Sequence, residues 1–352
     1  MSKLTTGISP DYQKFELDAD GFVSAPGDRM KAKLKAIPLP DLAGKSVLDV
    51  GCDFGFWSFL AANKGASAVV GIDRNRPVNG EAVDLIKLNS QVAERFPALE
   101  NCDFQNWNIG KQWPDIGRFD VVFMFSLYHH IFENCGDHAS IWFWLWTQCA
   151  DGGVVLWENP VSMEDGVAKA HISDDKKNLY TLYNIQVAAD PYFTAEYIGP
   201  ALHEPHRQVW RFKKKSFDFH KERNAEMKSG AGGATKAFLY AESRRCEEIS
   251  RALGVFPVPG SLNLKLINGP FDFQRGYFRV KILEVVDRAE GFESPWSPRW
   301  CRFYPVEVDG MAERVFVMRF ENDEYQSDFI ELVSSKKIRD MIAGNDLTIR
   351  RF

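Results

Sequence analysis

The chain has 352 residues, of which 45% are hydrophobic and 26% charged, and its formal net charge is −5 at pH 7. That length exceeds what one hydrophobic core ordinarily fills and predicts two domains. The mild negative charge excludes binding to nucleic acid through a global basic field and leaves only the local run Lys213-Lys214-Lys215. The cysteines at 52, 102, 135, 149, 246 and 301 have neither CxxC nor zinc-ligand spacing, so they read as reduced thiols of a cytoplasmic protein. No secretory h-region opens the sequence, and no apolar run is long enough to span a membrane.

Residues 1 to 44, with the run Met30 to Ile37 closed by Pro38, predict a loop, a helix and an entry turn. From Lys45 to Asn75 the pattern is strand, glycine turn, helix, strand, acid. Ser46 to Val50 is a short apolar run, and Gly51 and Gly55 punctuate a tight turn. Phe56 to Ala62 has helical spacing until Gly65, and Ala68 to Ile72 ends in Asp73. This is half of a doubly wound α/β fold, whose ligand lies beyond the carboxyl ends of the strands and whose acid at the second strand tip takes a ribose diol. The turn Gly51-Cys52-Asp53-Phe54-Gly55 lacks GxGxxG, and Asp53 would repel a pyrophosphate. A nucleotide-type ligand without phosphate is therefore expected.

A helix is predicted over about Gly80 to Phe96, then a strand from Cys102 to Trp107 that leads to Asn108, whose amide oxygen is a hydrogen-bond acceptor. Phe119 to Phe125 is apolar almost throughout, as a central parallel strand covered on both faces should be, and it delivers Ser126, His129 and His130 to the ligand edge. Ala139 to Cys149 predicts an aromatic-rich helix, Val154 to Trp157 a fifth strand leading to Glu158, and Tyr180 to Ala188 a further helix. Thr194 to Leu202 and Gln208 to Lys213 would close the sheet at seven strands as an antiparallel pair. Adjacent histidines at a strand tip point in two directions. One of His129 and His130 is expected to face the ligand and the other to pack, and a neutral imidazole near pH 7 serves as base or bridge.

These residues resemble class I methyltransferases dependent on S-adenosylmethionine (SAM), with Asp49, Gly51 and Gly55 in the first motif and Asp73 as the ribose acid; Asp53 stands where the middle glycine is usual. The resemblance implies SAM as cofactor, held by Asp49, Gly51, Cys52, Gly55, Asp73 and Ser126, with Asn108 at the adenine amine. Residues 15 to 59 also resemble relatives of wobble-uridine tRNA methyltransferases, in which such a segment caps the site. Tyr12 and Arg29 become candidate acceptor contacts. The segment FSLYHHI, with GCDFGFWS, GID and Pro205-His206-Arg207, resembles the methyltransferase half of the methyltransferase-kinases that terminate certain O-antigen polysaccharides, over about residues 40 to 212. That relative methylates a terminal phosphate.

Residues 213 to 229 are charged and poor in aliphatics and read as a linker ahead of the Gly230 to Gly233 loop. Beyond it, short alternating strands at 277–286, 301–308, 314–320 and 329–333, with helices at 242–253 and 335–342, predict a small β-barrel. GAGGATKAF (230 to 238), LGVFPVPGSLNLKL (253 to 266) and SDFIELVSSKKIRDMIAGNDLTI (327 to 349) resemble, in order, the archaeal-type CTP-dependent riboflavin kinases, a cradle-loop barrel. A glycine-rich loop offers backbone N–H groups to phosphate oxygens, and oxygens two residues apart on one strand face can hold Mg²⁺. The resemblance thus implies CTP at Gly230, Gly232 and Gly233, Mg²⁺ at Ser261 and Asn263, and Glu331 at the acceptor hydroxyl. Residues 287 to 300, with Trp296 and Trp300, match no flavin site, so the acceptor stays open.

The reading as a whole is an α/β chain: a cap at 1–44, a Rossmann-like seven-stranded methyltransferase sheet at 45–212, a linker at 213–229 and a cradle-loop β-barrel at 230–352. It would act as a SAM-dependent methyltransferase and CTP-dependent kinase on a small-molecule or glycan acceptor. A hydroxyl acceptor calls for His129, His130 or Glu158 as base; an anionic phosphate acceptor needs only cationic or donor groups such as Arg29, His130 or Arg207. Two alternatives remain: an RNA methyltransferase with an accessory barrel, against which the charge of −5 weighs, and a methyltransferase carrying a nucleotide- or glycan-binding module. Oligomeric state is open.

Overall fold

Apolar runs of strand length alternate with helical segments through the first two thirds of the chain, and in the computed structural model they form one parallel-rich sheet. The structure describes residues 4–5, 13–78, 81–202, 204, 206–216, 223–227, 244–257, 262–282, 299–321, 328–336, 338 and 346–351. The chain divides into two units, residues 1–110 with 115–216, and residues 111–114 with 217–352. Among the described residues no helix is long and apolar enough to cross a membrane.

In the first unit the helix Asp28–Ala36 (α1) precedes strand Ser46–Val50 (β1), helix Phe56–Asn63 (α2) and strand Ala68–Asp73 (β2). Helix Leu85–Arg95 (α3), strand Cys102–Asn106 (β3), strand Phe119–Phe125 (β4), helices Tyr128–Cys135 (α4) and His138–Gln148 (α5), and strand Cys149–Pro160 (β5) follow. Helices Gly166–His171 (α6) and Leu182–Ala189 (α7) and strands Phe193–Pro200 (β6) and Arg207–Lys214 (β7) complete the unit. The sheet order is β6–β7–β5–β4–β1–β2–β3, with β7 antiparallel to both of its neighbours. The seven strands and the antiparallel β6–β7 pair agree with the methyltransferase sheet expected from the sequence.

Position in this sheet explains composition. β4 lies at its centre, and all its residues are buried except Asp120. That carboxylate accepts from Ser46 N at 2.9 Å and from Ser46 Oγ at 3.0 Å, and the backbone bond holds its pKa below the usual range. α5, which is apolar on nearly every side, buries Trp142, Phe143 and Trp144. Several expected boundaries move. The helix expected from Gly80 starts at Leu85, where Asp84 caps it by accepting from Lys87 N at 3.0 Å, because residues 76–78 and 81–83 pair as a short hairpin instead. The helix expected from Tyr180 starts at Leu182 behind the Thr181 cap.

The second unit corrects the linker: within 213–229, residues Arg223–Met227 form a strand (β8). Helix Arg244–Leu253 (α8) and strands Leu262–Leu266 (β9), Phe278–Ile282 (β10), Arg299–Val308 (β11), Val315–Phe320 (β12), Phe329–Ser334 (β13) and Asp346–Arg351 (β14) follow. The order is β10–β11–β12–β13–β9–β8–β14, and a further β11–β14 pairing closes six of the strands into a barrel. The helix expected at 335–342 lies almost wholly outside the described residues.

One buried titratable group ties α5 to its surroundings. His138 Nε2 lies 3.0 Å from the Leu179 carbonyl, which only accepts, so Nε2 carries the hydrogen and Nδ1, 2.8 Å away, accepts from Tyr128 O–H. Burial pushes the His138 pKa down to about 4, against the opposing pull of Leu179 O and Asp137. The unfolded chain takes up this proton near pH 6.5, so the contribution is fully present above about 6.5 and is lost as pH falls toward about 4. Denaturant titrations followed by tryptophan fluorescence are expected to show the wild type losing about 3 kcal/mol more across that window than His138→Gln. Equal pH slopes would show that His138 is not buried as a neutral ring.

Candidate functional site

The carboxyl ends of β1, β2 and β4 open into a cleft of about 420 Å³ lined by Gly51, Asp53, Asp73, Asn108, Ser126, His129 and His130 among others. Gly51 is at φ +81°, a backbone conformation that strains any side chain, and a Cβ there would also have to displace the Leu127 side chain 2.7 Å away. The Asp73 carboxylate is fixed from both ends: Oδ2 accepts from Asp53 N at 2.9 Å and Oδ1 from Arg74 N at 2.7 Å. A carboxylate held in this way presents two acceptor oxygens at one edge, the chemistry that matches the two O–H groups of a vicinal diol. Asn108 receives Asn134 Nδ2 at 3.0 Å on its amide oxygen, which orients that amide.

Three of the other predicted cofactor residues lie behind this wall. Asp49 is buried and accepts from Ser58 Oγ at 2.7 Å; desolvation raises its pKa to about 7, against the Ser58 bond and with the help of the Asp73 charge. Cys52 is fully buried, and desolvation pushes its thiol well above its ordinary value. Gly55, at φ +80°, caps α2. The motif thus supplies backbone geometry and packing at these positions.

The histidines depart from expectation. Tyr128–Cys135 is helical, so His129 and His130 sit in the first turn of α4 rather than on a strand tip, and both line the cleft. Their ring centroids are 4.1 Å apart, and that of His171, at the end of α6, is 4.4 Å from His130. His129 is fully buried, and among the described residues neither of its ring nitrogens has a hydrogen-bond partner. Desolvation, with the His130 and Arg207 charges, moves its pKa well below the ordinary histidine value and keeps the ring neutral.

Beneath the cleft lies a charge network that only the fold reveals. Ser126 Oγ donates to Glu158 Oε2 at 2.9 Å and accepts from Lys33 Nζ at 2.8 Å and Arg207 Nη1 at 2.6 Å. Lys33 Nζ also lies 3.0 Å from Glu158 Oε2, and Arg207 Nε donates to Asp165 Oδ2 at 3.1 Å. All four charged side chains are at most 3% exposed. The other Asp165 oxygen caps α6 through Val167 N and Ala168 N, so the network also fixes the helix that ends at His171. Next in sequence to Glu158, buried Asn159 accepts from Tyr128 N at 2.8 Å and donates to Met124 O at 2.9 Å, which sets the start of α4. Ser126 and Glu158, expected as cofactor and catalytic groups, are thus joined to Lys33 and Asp165, which sequence reasoning missed. Arg29 lines the cleft and pairs with Glu204 at 3.4 Å; Tyr12 lies outside the described residues.

In the second unit Gly230, Gly232, Gly233, Ser261 and Trp296 also lie outside the described residues. Asn263 and Glu331 lie opposite each other in the β9–β13 ladder. Both are half-buried, while their strand neighbours Leu262, Leu264, Ile330 and Leu332 fill the core. Register therefore places an amide and a carboxylate side by side on one face of the barrel wall.

Residues 24–204, more than half of the chain, match a family model described as a methyltransferase domain. Residues 229–348 match the CTP-dependent riboflavin kinase model, described as a domain of unknown function, DUF120. Over 125 residues the chain is 30% identical to a riboflavin kinase of Aeropyrum pernix, a match spanning 34% of this chain and 83% of that protein. The chain belongs to the methyltransferase-domain family and, in its C-terminal part, to the CTP-dependent riboflavin kinase family. A tRNA U34 carboxymethyltransferase of Pseudomonas fluorescens is 29% identical over 93 residues, which are 26% of this chain and 27% of that protein. This chain therefore matches about a quarter of that relative's length. Among solved structures, a putative S-adenosylmethionine-dependent methyltransferase from Listeria monocytogenes aligns over 53% of this chain and 98% of its own at 16% identity, with a TM-score of 0.39. The N-methyltransferase NodS from Bradyrhizobium japonicum, in complex with S-adenosyl-L-homocysteine, aligns over 53% and 84% at 13% identity and 0.37. The cleft at the strand ends offers a carboxylate held by two backbone N–H groups, a second carboxylate and a glycine turn, a donor set that fits SAM.

Removing one partner of a buried ion pair strands the other. Lys33→Met is expected to destabilise the first unit by about 3 kcal/mol, and Lys33→Met with Glu158→Gln by less than the sum of the single changes. Additive losses in chemical denaturation would show that Lys33 and Glu158 are not coupled.

Proposed function

We propose that the first unit transfers a methyl group from SAM to an oxygen of a small-molecule or glycan acceptor, and that the second phosphorylates a hydroxyl from CTP and Mg²⁺ on the same pathway. The observation that carries the first half is the Asp73 carboxylate, held by two backbone N–H groups at the cleft mouth. Bound SAM would supply an electrophilic methyl on a sulfonium. In the transfer the S–CH₃ bond breaks with its electron pair left on sulfur, and an oxygen lone pair forms the new bond. The protein's work is alignment, desolvation and control of the acceptor proton. Asp73 would hold the ribose diol, Asp53 would place negative charge near the cationic cofactor, and the cleft end formed by Ser126, His129 and His130 would receive the acceptor oxygen.

The second half is supported by the Asn263–Glu331 register, since the kinase resemblance puts a metal ligand and an acceptor-orienting carboxylate at these two positions. Riboflavin, named in the relative from Aeropyrum pernix, is one candidate acceptor for this unit.

Calorimetry on the full chain tests both halves. SAM is expected to bind, and Asp73→Ala to weaken it by about 1.5 to 3 kcal/mol through loss of a charged double acceptor. Unchanged affinity would remove Asp73 from the site. For the barrel, Asn263→Ala is expected to weaken CTP chiefly when Mg²⁺ is present, and Glu331→Ala to leave CTP bound while slowing phosphoryl transfer. Tighter binding of ATP than of CTP would keep a kinase but reject the CTP assignment.

A further inference from the structure

The same cleft holds a second constellation that the cofactor motifs do not account for. His129, His130 and His171 each offer a ring nitrogen, and these atoms all lie within 4.8 Å of one another. Two are consecutive residues in the first turn of α4 and the third ends α6, so two separate elements converge on one point.

The hydrogen bonding favours ligation over packing. His171 Nδ1 is 2.7 Å from the Val167 carbonyl, which can only accept, so Nδ1 carries the hydrogen and Nε2 presents a lone pair. A backbone carbonyl fixing the far nitrogen is the usual means of orienting a metal-bound imidazole. His129 is a buried polar ring whose two nitrogens have no hydrogen-bond partner among the described residues, although it lines a cleft. A buried imidazole ordinarily satisfies at least one nitrogen, and a metal ion would satisfy this one. Around a tetrahedral ion with bonds of about 2.1 Å the nitrogens stand roughly 3.4 Å apart, so a bound metal would draw the set together from separations of up to 4.8 Å. Arg207, which also lines the cleft, has its charge matched by Glu158 and Asp165.

We propose that His129, His130 and His171 form a site for a divalent transition metal of zinc type, with its open coordination position facing the cleft. Three neutral nitrogen donors select borderline metals such as Zn²⁺ or Co²⁺ over Mg²⁺ or Ca²⁺, and three protein ligands leave a position for water or an exchangeable oxygen. This deepens the methyl-transfer reading and rests on it for function: an acceptor oxygen on the metal would lose its proton near neutral pH without a side-chain base.

The test uses the full chain without an affinity tag, stripped by chelator and titrated with Zn²⁺ by calorimetry and with Co²⁺ by visible absorption. One Zn²⁺ per chain and Co²⁺ bands of a low-coordinate nitrogen site are expected. His171→Ala, at an exposed position, and His130→Ala are each expected to weaken Zn²⁺ binding 10-fold or more while circular dichroism stays unchanged. No saturable binding in the wild type, or equal affinity in both variants, overturns the proposal. S-Adenosylhomocysteine titrated into the same samples separates the two readings. Zn²⁺ bound without it leaves the metal site standing and rejects methyl transfer, whereas its binding without Zn²⁺ does the reverse.

Discussion

Two cations and one anion meet on a single serine hydroxyl beneath the cleft, with a second anion held by one of the cations, and the placement of the candidate site follows from that meeting. Lys33 arrives from α1, Ser126 and Glu158 from the ends of adjacent parallel strands, Arg207 from the antiparallel strand beyond them, and Asp165 from the cap of α6. Ions this deeply buried are tolerable only if their charges balance, and here two cations face two anions. The arrangement specifies geometry more than it adds stability. It fixes α1 against the sheet, α6 at its correct height, and the tips of β4 and β5 relative to each other.

The cleft inherits this rigidity on one side and is formed by backbone on the other. Gly51 and the N–H groups of Asp53 and Arg74 shape the wall that holds Asp73, while Asn159 sets where α4 begins and hence where His129 and His130 lie. One wall is thus acidic and backbone-lined, the other imidazole-lined and braced by buried ions. A cationic cofactor on the first side facing an acceptor oxygen on the second is a chemically sensible division of the space. In the barrel the same economy appears in smaller form: strand register alone brings Asn263 and Glu331 together across 68 residues of sequence.

Much of this is legible in the sequence, for identifiable reasons. β4 is readable from end to end because a central parallel strand must be apolar on both faces, and the β1–turn–α2–β2 unit because glycines and helical spacing punctuate it. The histidine pair reads as a strand tip only while attention stays on FDVVFMF. Tyr128, Ile131, Phe132 and Cys135 already carry the 3.6 spacing that puts both histidines on a helix. Lys33 is hidden for a different reason: it sits among Lys31 and Lys35 in a charged helix, and what distinguishes it is a partner 125 residues away. Asp165 and His171 occupy a stretch with no motif, so only the packing of α6 brings them to the site. The motif residues Asp49, Cys52 and Gly55 show the converse, since their pattern is easy to find while their contribution is packing and turn geometry.

Ser126 is at φ +58°, a left-handed conformation that non-glycine residues seldom adopt. Its backbone would be most relaxed with glycine, yet its hydroxyl uses its one hydrogen and both lone pairs on three different partners. These demands pull the choice of residue in opposite directions, which narrows the evolutionary paths open to the position. A glycine removes the bridge between the charges, a threonine adds a branch that the left-handed backbone resists, and a larger polar residue must displace Lys33 or Arg207. Escape from serine therefore requires concerted change at residues far apart in the gene. In a lineage of such proteins, position 126 should covary with 33, 158 and 207 and not drift alone.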